Sequence, residues 1–293
     1  MTLQVITGNH AAGYALSTAG EANRTARGVA CGIYPITPQT EIVEYVARFP
    51  FSKGHVVPVE SEHSAMAVSI GASANGARAF TASSANGLAY MAENIMVAGY
   101  YRLPIVMVAV NRTLGPPWNI WADQGDTLML RDFAWLQFYC ETNQEVLDTT
   151  LLAFKLAEDR RVLLPAMTCM DAFIVSHTQT ETDLPEQEAV DRYLPDLNLP
   201  HRMHPDEART LGGLTWPHEE LSMRLEIDEA MKRVPGVYQE CRDSFTEIFG
   251  RDPGGIIQTF GIEDAEIILI ASGTMATTAR EVVRQRRADG EKI

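Results

Sequence analysis

The feature that most constrains the fold is a run at residues 103–110 that is apolar at nearly every position. A strand with one face in water alternates apolar and polar side chains, whereas a strand covered on both faces carries a continuous apolar run. Shorter apolar runs recur along the chain and alternate with segments whose apolar residues have helical spacing. This alternation predicts a doubly wound, mostly parallel α/β sheet with helices on both faces.

The other predicted elements follow from the same patterns. Strands are predicted at residues 29–34, 55–59 (short and buried), 78–83, 133–140, 163–170 and 265–271. Helices are predicted at residues 9–20, 39–48, 65–77, 88–100, 143–159, 226–251 and from 274 to about 290. Residues 179–220 are polar and acidic and contain prolines, so we expect an extended arm there.

We expect three segments along the chain. Residues 1–185 form the main domain, residues 186–255 a polar arm and linker helix, and residues 256–293 the start of a second α/β domain. This second domain looks truncated, because a single βα unit cannot bury its own apolar face.

Charge and cysteine content narrow the functional classes. The formal net charge of −14 argues against nucleic acid or an anionic membrane surface as the main partner. None of the four cysteines is close enough to another for a C-x-x-C pair, so no iron–sulfur cluster or structural zinc is expected on this chain. With no apolar run of membrane-spanning length and no visible signal peptide, we expect a cytoplasmic protein.

Two carboxylates, Glu60 and Glu62, lie where the predicted strand at 55–59 meets the helix at 65–77. In an open α/β sheet this edge is where ligands bind, and a carboxylate at a helix N-terminus is favoured by the helix dipole. The same pattern also fits two first-turn acids on a solvated loop.

Further segments at or beyond predicted strand ends have the composition of binding loops. Two prolines make residues 34–38 a rigid loop, and the small residues of 83–87 allow a ligand or another backbone to approach closely. Arg112 leaves the apolar strand at the same edge, where its planar guanidinium suits a carboxylate, although a surface arginine fits the composition too. The loop at 115–126 carries Trp118 and Trp121, which either line a pocket or pack against a neighbouring chain.

These segments together resemble the alpha subunit, or pyrimidine-binding part, of the 2-oxoacid:ferredoxin oxidoreductases, in the pyruvate-type branch. The resemblance covers most of residues 1–185. Its motifs stand in the family's order: Tyr34-Pro35-Ile36-Thr37-Pro38, Glu60-Ser61-Glu62-His63-Ser64-Ala65, Asn111-Arg112, Asn119-Ile120-Trp121 and Asp123-Gln124. The 2-oxoglutarate-type branch typically has Gly-Pro-Ser-Thr-Gly where this chain has Asn111-Arg112-Thr113-Leu114.

The resemblance implies thiamine diphosphate chemistry and assigns roles to residues. Glu62 would contact N1′ of the aminopyrimidine and share a proton with it, while Thr37 and Arg112 would hold the substrate carboxylate. The resemblance thus makes these three residues catalytic. The implied cofactor-binding residues are Glu62, Pro35, Ile36, Ser84 and Asn86, and the implied substrate pocket is Thr37, Arg112, Trp118 and Asn119. Two departures, Asn86 for a common Gln and Gly115-Pro116-Pro117-Trp118 for a smaller segment, leave the substrate open.

The family's diphosphate-binding motif and cluster-binding cysteines are missing from this chain. The resemblance therefore implies a beta subunit with the diphosphate and Mg²⁺ site, together with gamma and ferredoxin-like delta subunits, with [4Fe-4S] clusters on partner chains only. Pyruvate, coenzyme A and ferredoxin are the expected reactants, and pyruvate is the default 2-oxoacid. Phenylglyoxylate or oxalate oxidation, a transketolase-like thiamine enzyme and a non-catalytic scaffolding subunit stay open as alternatives.

Overall fold

A computed structural model describes residues 2–293 and contains a six-stranded parallel sheet at its centre. The strands are β1 Thr2–Thr7, β2 Val29–Ile33, β3 Gly54–Pro58, β4 Arg78–Ser83, β5 Val106–Asn111, β6 Leu136–Cys140, β7 Ala166–Asp171 and β8 Gln179–Leu184. The helices are α1 Gly8–Glu21, α2 Thr40–Arg48, α3 Glu62–Ala74, α4 Ala85–Tyr90, α5 Ala92–Tyr100, α6 Gly125–Leu128, α7 Asn143–Glu158, α8 Gln187–Tyr193, α9 Pro217–Phe249 and α10 Thr274–Ala288.

The apolar run at residues 103–110 provides most of β5, which lies in the middle of the sheet with all six of its residues buried. Val106 and Val108 belong to a core shared with α1 and α7, whereas Met107 and Ala109 belong to a second core shared with α3 and α5. Helices therefore cover both faces, and the predicted doubly wound α/β fold is confirmed.

Sheet order fixes where the loops meet. The central sheet runs β3-β2-β4-β5-β7-β6 with every pair parallel. Strand order reverses direction between β2 and β4, and in such sheets the carboxyl ends of the strands on either side of this point open a crevice. The loops after β2, β3, β4 and β5 all leave the sheet at that edge.

A buried ion pair holds the opposite end of β4. Arg78 is fully buried, and its guanidinium donates to both oxygens of Glu158 at the end of α7, at 2.6 and 2.7 Å. It also donates to the backbone oxygens of Ala19 and Pro195 at 2.8 and 2.9 Å. One side chain thus joins the sheet to three distant segments.

Several predicted elements differ from the structure in detail. The helix predicted at 226–251 begins at Pro217, within the predicted arm. The strand predicted at 55–59 is an edge strand, with His55 and Pro58 exposed, because only β2 pairs with it. The helix predicted at 88–100 begins earlier, at Ala85, and is interrupted at Met91 to give α4 and α5.

The prediction of an extended arm at residues 179–220 is wrong for the first part of this segment. Residues 179–184 form β8, which pairs antiparallel with β1, a strand that the sequence patterns did not indicate. The helix α8 then buries Val190 and Tyr193, and the Tyr193 ring packs against Phe245 and Phe249 of α9 at centroid distances of 5.3 and 5.4 Å. Few large apolar residues stand among the polar ones here, which hid these elements from a search for periodicity.

The strand predicted at 265–271 is also absent. No strand is assigned in this segment, and Ile267, Ile268 and Ile270 are exposed. The backbone amides of Glu266 and Ile267 donate to the Lys292 oxygen instead, at 2.8 and 3.1 Å. The predicted segment boundaries at residues 185 and 255 stay a prediction. Among residues 2–293, no helix has the length and apolar character needed to cross a membrane.

Candidate active site

The two carboxylates at the β3–α3 junction have different environments. Glu62 is the first residue of α3 and is 7 % exposed, and Ser61 caps the helix by accepting from the Ser64 amide. Glu60 is exposed and accepts from the Ser64 hydroxyl, a hydrogen bond that lowers the pKa of Glu60. The structure thus assigns the solvated-loop interpretation to Glu60 and places Glu62 in the sheet-edge crevice.

Glu62 lies against the turn that follows β4. A Cβ atom built on Gly87 would be 2.7 Å from Glu62 Oε1 and 2.5 Å from Ser83 Oγ. Only glycine leaves room for the carboxylate at this distance, whereas the approach of a ligand to this small-residue turn stays a prediction. The approaching group in this structure is the Glu62 side chain.

Thr37 and Arg112 come together across the crevice. Arg112 follows β5 and is 8 % exposed, and its Nη1 donates to the Thr37 backbone oxygen at 2.6 Å. Burial lowers the pKa of Arg112, which retains its charge because its ordinary pKa is so high. The loop at 34–38 is held in turn by Gln39, whose Nε2 donates to the Tyr34 and Ala82 oxygens at 2.7 and 3.2 Å.

A fully buried carboxylate, Asp126, lies behind these residues at the start of α6. Its Oδ2 accepts from the backbone amides of Ala85 at 2.9 Å and Arg112 at 3.1 Å, and its Oδ1 accepts from Asn111 Nδ2 at 2.8 Å. Burial raises the pKa of Asp126 to about 6. Sequence reasoning missed this residue, because its only signal was a position in a long loop.

Asn86 joins the turn after β4 to the loop at 115–126. Its amide pairs with the Gly115 backbone in both directions, Nδ2 to oxygen at 3.0 Å and Oδ1 from nitrogen at 2.9 Å. The Ser84 hydroxyl likewise donates to the Val110 oxygen at 2.6 Å. Both predicted cofactor-binding side chains therefore support the loops around the crevice in this structure.

The loop at 115–126 leaves its aromatic residues in the open. Trp118 and Trp121 are each 69 % exposed, and the Trp118 ring lies over Gly115. The Asn119 side chain accepts from the Trp121 amide at 3.0 Å and so shapes the loop. Pro35 and Thr37 are exposed at the mouth of the crevice and Ile36 is half-buried.

A segment distant in sequence closes the far side of this edge. Ser272 donates to Gln124 Oε1 at 2.6 Å, and the Thr274 amide donates to Asp171 Oδ2, at the end of β7, at 2.9 Å. Gly273 fits between these side chains with a positive φ of 59°. This contact ties the segment at 272–274 to the end of β7.

Comparison with known proteins identifies the family of this chain. Residues 21–243 match the family profile described as "Pyruvate flavodoxin/ferredoxin oxidoreductase, thiamine diP-bdg". The chain belongs to this family. The resemblance inferred from the motifs is therefore confirmed.

Two curated relatives and one solved structure extend the match. Pyruvate synthase subunit PorA of Methanothermobacter thermautotrophicus is 43 % identical over 100 % of this chain and 75 % of its own length. Ketoisovalerate oxidoreductase subunit VorA of Pyrococcus horikoshii is 43 % identical over 99 % of this chain and 72 % of its own length. The 2-oxoglutarate:ferredoxin oxidoreductase of Magnetococcus marinus, 19 % identical, superposes with a TM-score of 0.67 over 99 % of this chain and 52 % of that one, which shows the shared fold.

The crevice residues fit the cofactor named in the family description. Within residues 2–293, Ser83 Oγ, Gln39 Oε1 and Arg112 Nε are buried polar atoms that have no hydrogen-bond partner. An aminopyrimidine offers ring-nitrogen acceptors and an amino donor, which are complementary to such groups and to the carboxyl of Glu62. The residues around the crevice therefore include polar groups that fit a thiamine ring.

Proposed function

We propose that this chain is the alpha subunit of a thiamine diphosphate-dependent 2-oxoacid:ferredoxin oxidoreductase. In this proposal it binds the pyrimidine ring and the substrate carboxylate, and the complex converts a 2-oxoacid and coenzyme A to acyl-CoA, CO₂ and low-potential electrons. The observation that carries the proposal is the arrangement at the sheet edge. There a buried carboxyl, Glu62, lies in the same crevice as a buried guanidinium, Arg112, that is tied to the Thr37 loop.

Each of the three residues has a distinct task. Glu62 holds or releases a proton at the pyrimidine nitrogen N1′, because a carboxyl in a dry pocket can share a proton with a nitrogen base. Arg112 pairs with the substrate carboxylate through its fork of N–H donors. The Thr37 loop fixes where that guanidinium lies, since its backbone oxygen accepts from Nη1 at 2.6 Å. Bound thiamine diphosphate supplies the carbon nucleophile and the electron sink for decarboxylation.

The proposal includes partner subunits in the same compartment, the cytoplasm. The presence of partner subunits is supported by two tryptophans beside the crevice, Trp118 and Trp121, which are each 69 % exposed. Large aromatic side chains are normally covered, so a partner chain would cover them in the complex. We assign the diphosphate and Mg²⁺ site to a beta subunit, and the [4Fe-4S] clusters to a ferredoxin-like delta subunit. A gamma subunit completes the complex, and ferredoxin or a similar carrier accepts the electrons.

Pyruvate is the proposed substrate, and a branched 2-oxoacid is the second candidate. The second candidate is favoured by one observation, since the ketoisovalerate relative is as similar to this chain as the pyruvate relative, at 43 % identity. Phenylglyoxylate and oxalate are further candidate substrates because Trp118 borders the crevice.

The test is turnover of the native complex, purified with its co-purifying subunits. Glu62→Gln should lower 2-oxoacid-dependent reduction of a viologen dye by ~10²-fold or more, the scale of a lost acid–base group. Glu60→Gln is the matched control, because this exposed acid two residues earlier should leave turnover unchanged.

Three outcomes would contradict the proposal. Near-normal turnover of Glu62→Gln would remove the assignment of the catalytic carboxyl. Activity without iron in the complex would favour a transketolase-like enzyme, and an assembled complex that turns over no 2-oxoacid would favour a scaffolding subunit.

A further inference from the structure

Asp126 is the buried charged group that the proposed mechanism does not use. It has no exposed surface, and burying an ionisable carboxyl is unfavourable unless hydrogen bonds compensate. Its hydrogen-bond donors include the backbone amides of Ala85 and Arg112 and the side-chain amide of Asn111, and within residues 2–293 no arginine or lysine side-chain nitrogen donates to it. The charge of Arg112 also acts on Asp126, although without a side-chain hydrogen bond, so the direct contacts of this carboxylate are with amides.

The two backbone amides belong to the two loops that form the candidate site. One is the amide of Arg112, whose guanidinium reaches the Thr37 oxygen. The other is the amide of Ala85, which has a positive φ of 44°, a conformation that costs a non-glycine residue free energy and needs external support. Two residues after Ala85 is Gly87, the wall against which the Glu62 carboxylate lies. A single oxygen, Asp126 Oδ2, therefore connects the surroundings of Glu62 with the backbone of Arg112.

The carboxylate is itself oriented from the strand. Asn111 Nδ2 donates to Asp126 Oδ1 at 2.8 Å and to Thr127 Oγ1 at 2.9 Å. The Thr127 hydroxyl bonds in turn to Tyr139 on β6. Hydrogen bonds from β5 and β6 thus hold the Asp126 carboxylate in one orientation. Residues that support a catalytic site need such fixed positions.

We propose that Asp126 is a positioning residue, which fixes the Arg112 backbone and the 84–87 turn at one oxygen and so sets the spacing between Arg112 and Glu62. The inference rests on the proposed function. It adds a residue that touches neither substrate nor cofactor and acts through both loops. A neutral amide at this position accepts more weakly than a carboxylate, so the two loops would separate while the fold persists.

The test compares Asp126→Asn, which keeps the side-chain shape, with Asp132→Asn, a change of an exposed acid in the same loop region. In the native complex, Asp126→Asn should raise KM for pyruvate by about tenfold, the scale of one weakened charge-assisted hydrogen bond. Asp132→Asn should leave kcat and KM unchanged. A purely structural role would lower the amount of folded complex and leave KM as it is.

A double variant identifies the route of the effect. If Asp126 acts through Arg112, adding Asp126→Asn to Arg112→Lys should raise KM by less than about threefold, because the two residues work as one unit. If Asp126→Asn does not assemble, Asn111→Ala removes the donor that orients the carboxylate and should also raise KM. Unchanged KM in a folded variant, or fully multiplicative effects in the double variant, would overturn the inference. A wild-type complex without 2-oxoacid turnover would instead refute the proposed function.

Discussion

The packing of Gly87 against Glu62 gives the sharpest prediction, for Gly87→Ala. The new methyl group would be 2.5 Å from Ser83 Oγ, 2.7 Å from Glu62 Oε1 and 2.9 Å from Glu62 Cγ, where ordinary contacts begin at 3.4 Å. The Ser83 hydroxyl can rotate away, whereas two Glu62 atoms are in the way. The Glu62 carboxylate must therefore withdraw by ~0.7 Å, or the turn must move by a similar distance. A displacement of ~1 Å in a catalytic group costs about 10²-fold in rate, so we expect kcat to fall by roughly 10- to 100-fold.

Stability should change much less than activity. Gly87 lies in α4 and its φ is not positive, so alanine gains up to ~1 kcal/mol of helix propensity there. Overpacking costs ~1–3 kcal/mol, and the net change in the free energy of unfolding should stay within about 2 kcal/mol. The assays are viologen reduction by the complex and urea unfolding of the same preparation.

Gly71→Ala is the matched control. Gly71 lies in α3, nine residues after Glu62, and a Cβ atom there would meet nothing within 4 Å. It should gain ~0.5–1 kcal/mol of stability with unchanged kcat. A folded Gly87→Ala complex whose kcat is within twofold of wild type would refute the argument that Glu62 must occupy this position for turnover.

Three further predictions concern the substrate, the core and pH. Arg112→Lys should lower kcat/KM for pyruvate, ketoisovalerate, phenylglyoxylate and oxalate alike, by roughly 1.5–3 kcal/mol. Trp118→Ile should instead change the ranking of these substrates. A changed ranking in Arg112→Lys would contradict this division of roles. Arg78→Met should cost ~3–5 kcal/mol in urea unfolding because it leaves Glu158 buried without its partner, and Arg78→Met with Glu158→Leu should recover part of the loss. Since the pKa of Asp126 is raised to about 6, its protonated form favours the folded state, and the stability it contributes below pH 4 is lost as pH rises through 6. Urea unfolding of both proteins at pH 4 and at pH 7 measures this effect. Relative to wild type, Asp126→Asn should become more stable by up to ~3 kcal/mol as the pH rises from 4 to 7. A stability difference that is the same at both pH values would exclude the raised pKa of Asp126.

The sequence predicted the central sheet well because its inner strands are buried on both faces. β5 and β7 are buried at every position and are mostly apolar, so tertiary packing and local pattern agree. The first and last elements were harder. β1 and β8 are stabilised mainly by pairing with each other, across almost the whole main domain, and a local pattern cannot show such a partner.

The site was predictable to the level of its loops. Motif order indicated Glu62, Arg112 and Thr37, and sheet topology then explains why they share an edge. The local pattern alone could not separate Glu62 from Glu60, which only the motif resemblance distinguished, because the difference in burial between two acids so close in sequence is a property of the fold. It also could not assign Asn86 to the Gly115 backbone or find Asp126, because both roles depend on contacts between loops that lie 29 and 41 residues apart.

The antiparallel pairing of Thr2 with Leu184 has a topological consequence. The segment from β1 to β8 contains the whole parallel sheet, and it begins and ends at neighbouring residues, so its path is nearly a closed ring. Chains with adjacent ends tolerate circular permutation and the addition of domains. Segments joined after residue 184 are thus attached at one point beside the start of the ring, and none of them interrupts the order of strands that brings the crevice loops together.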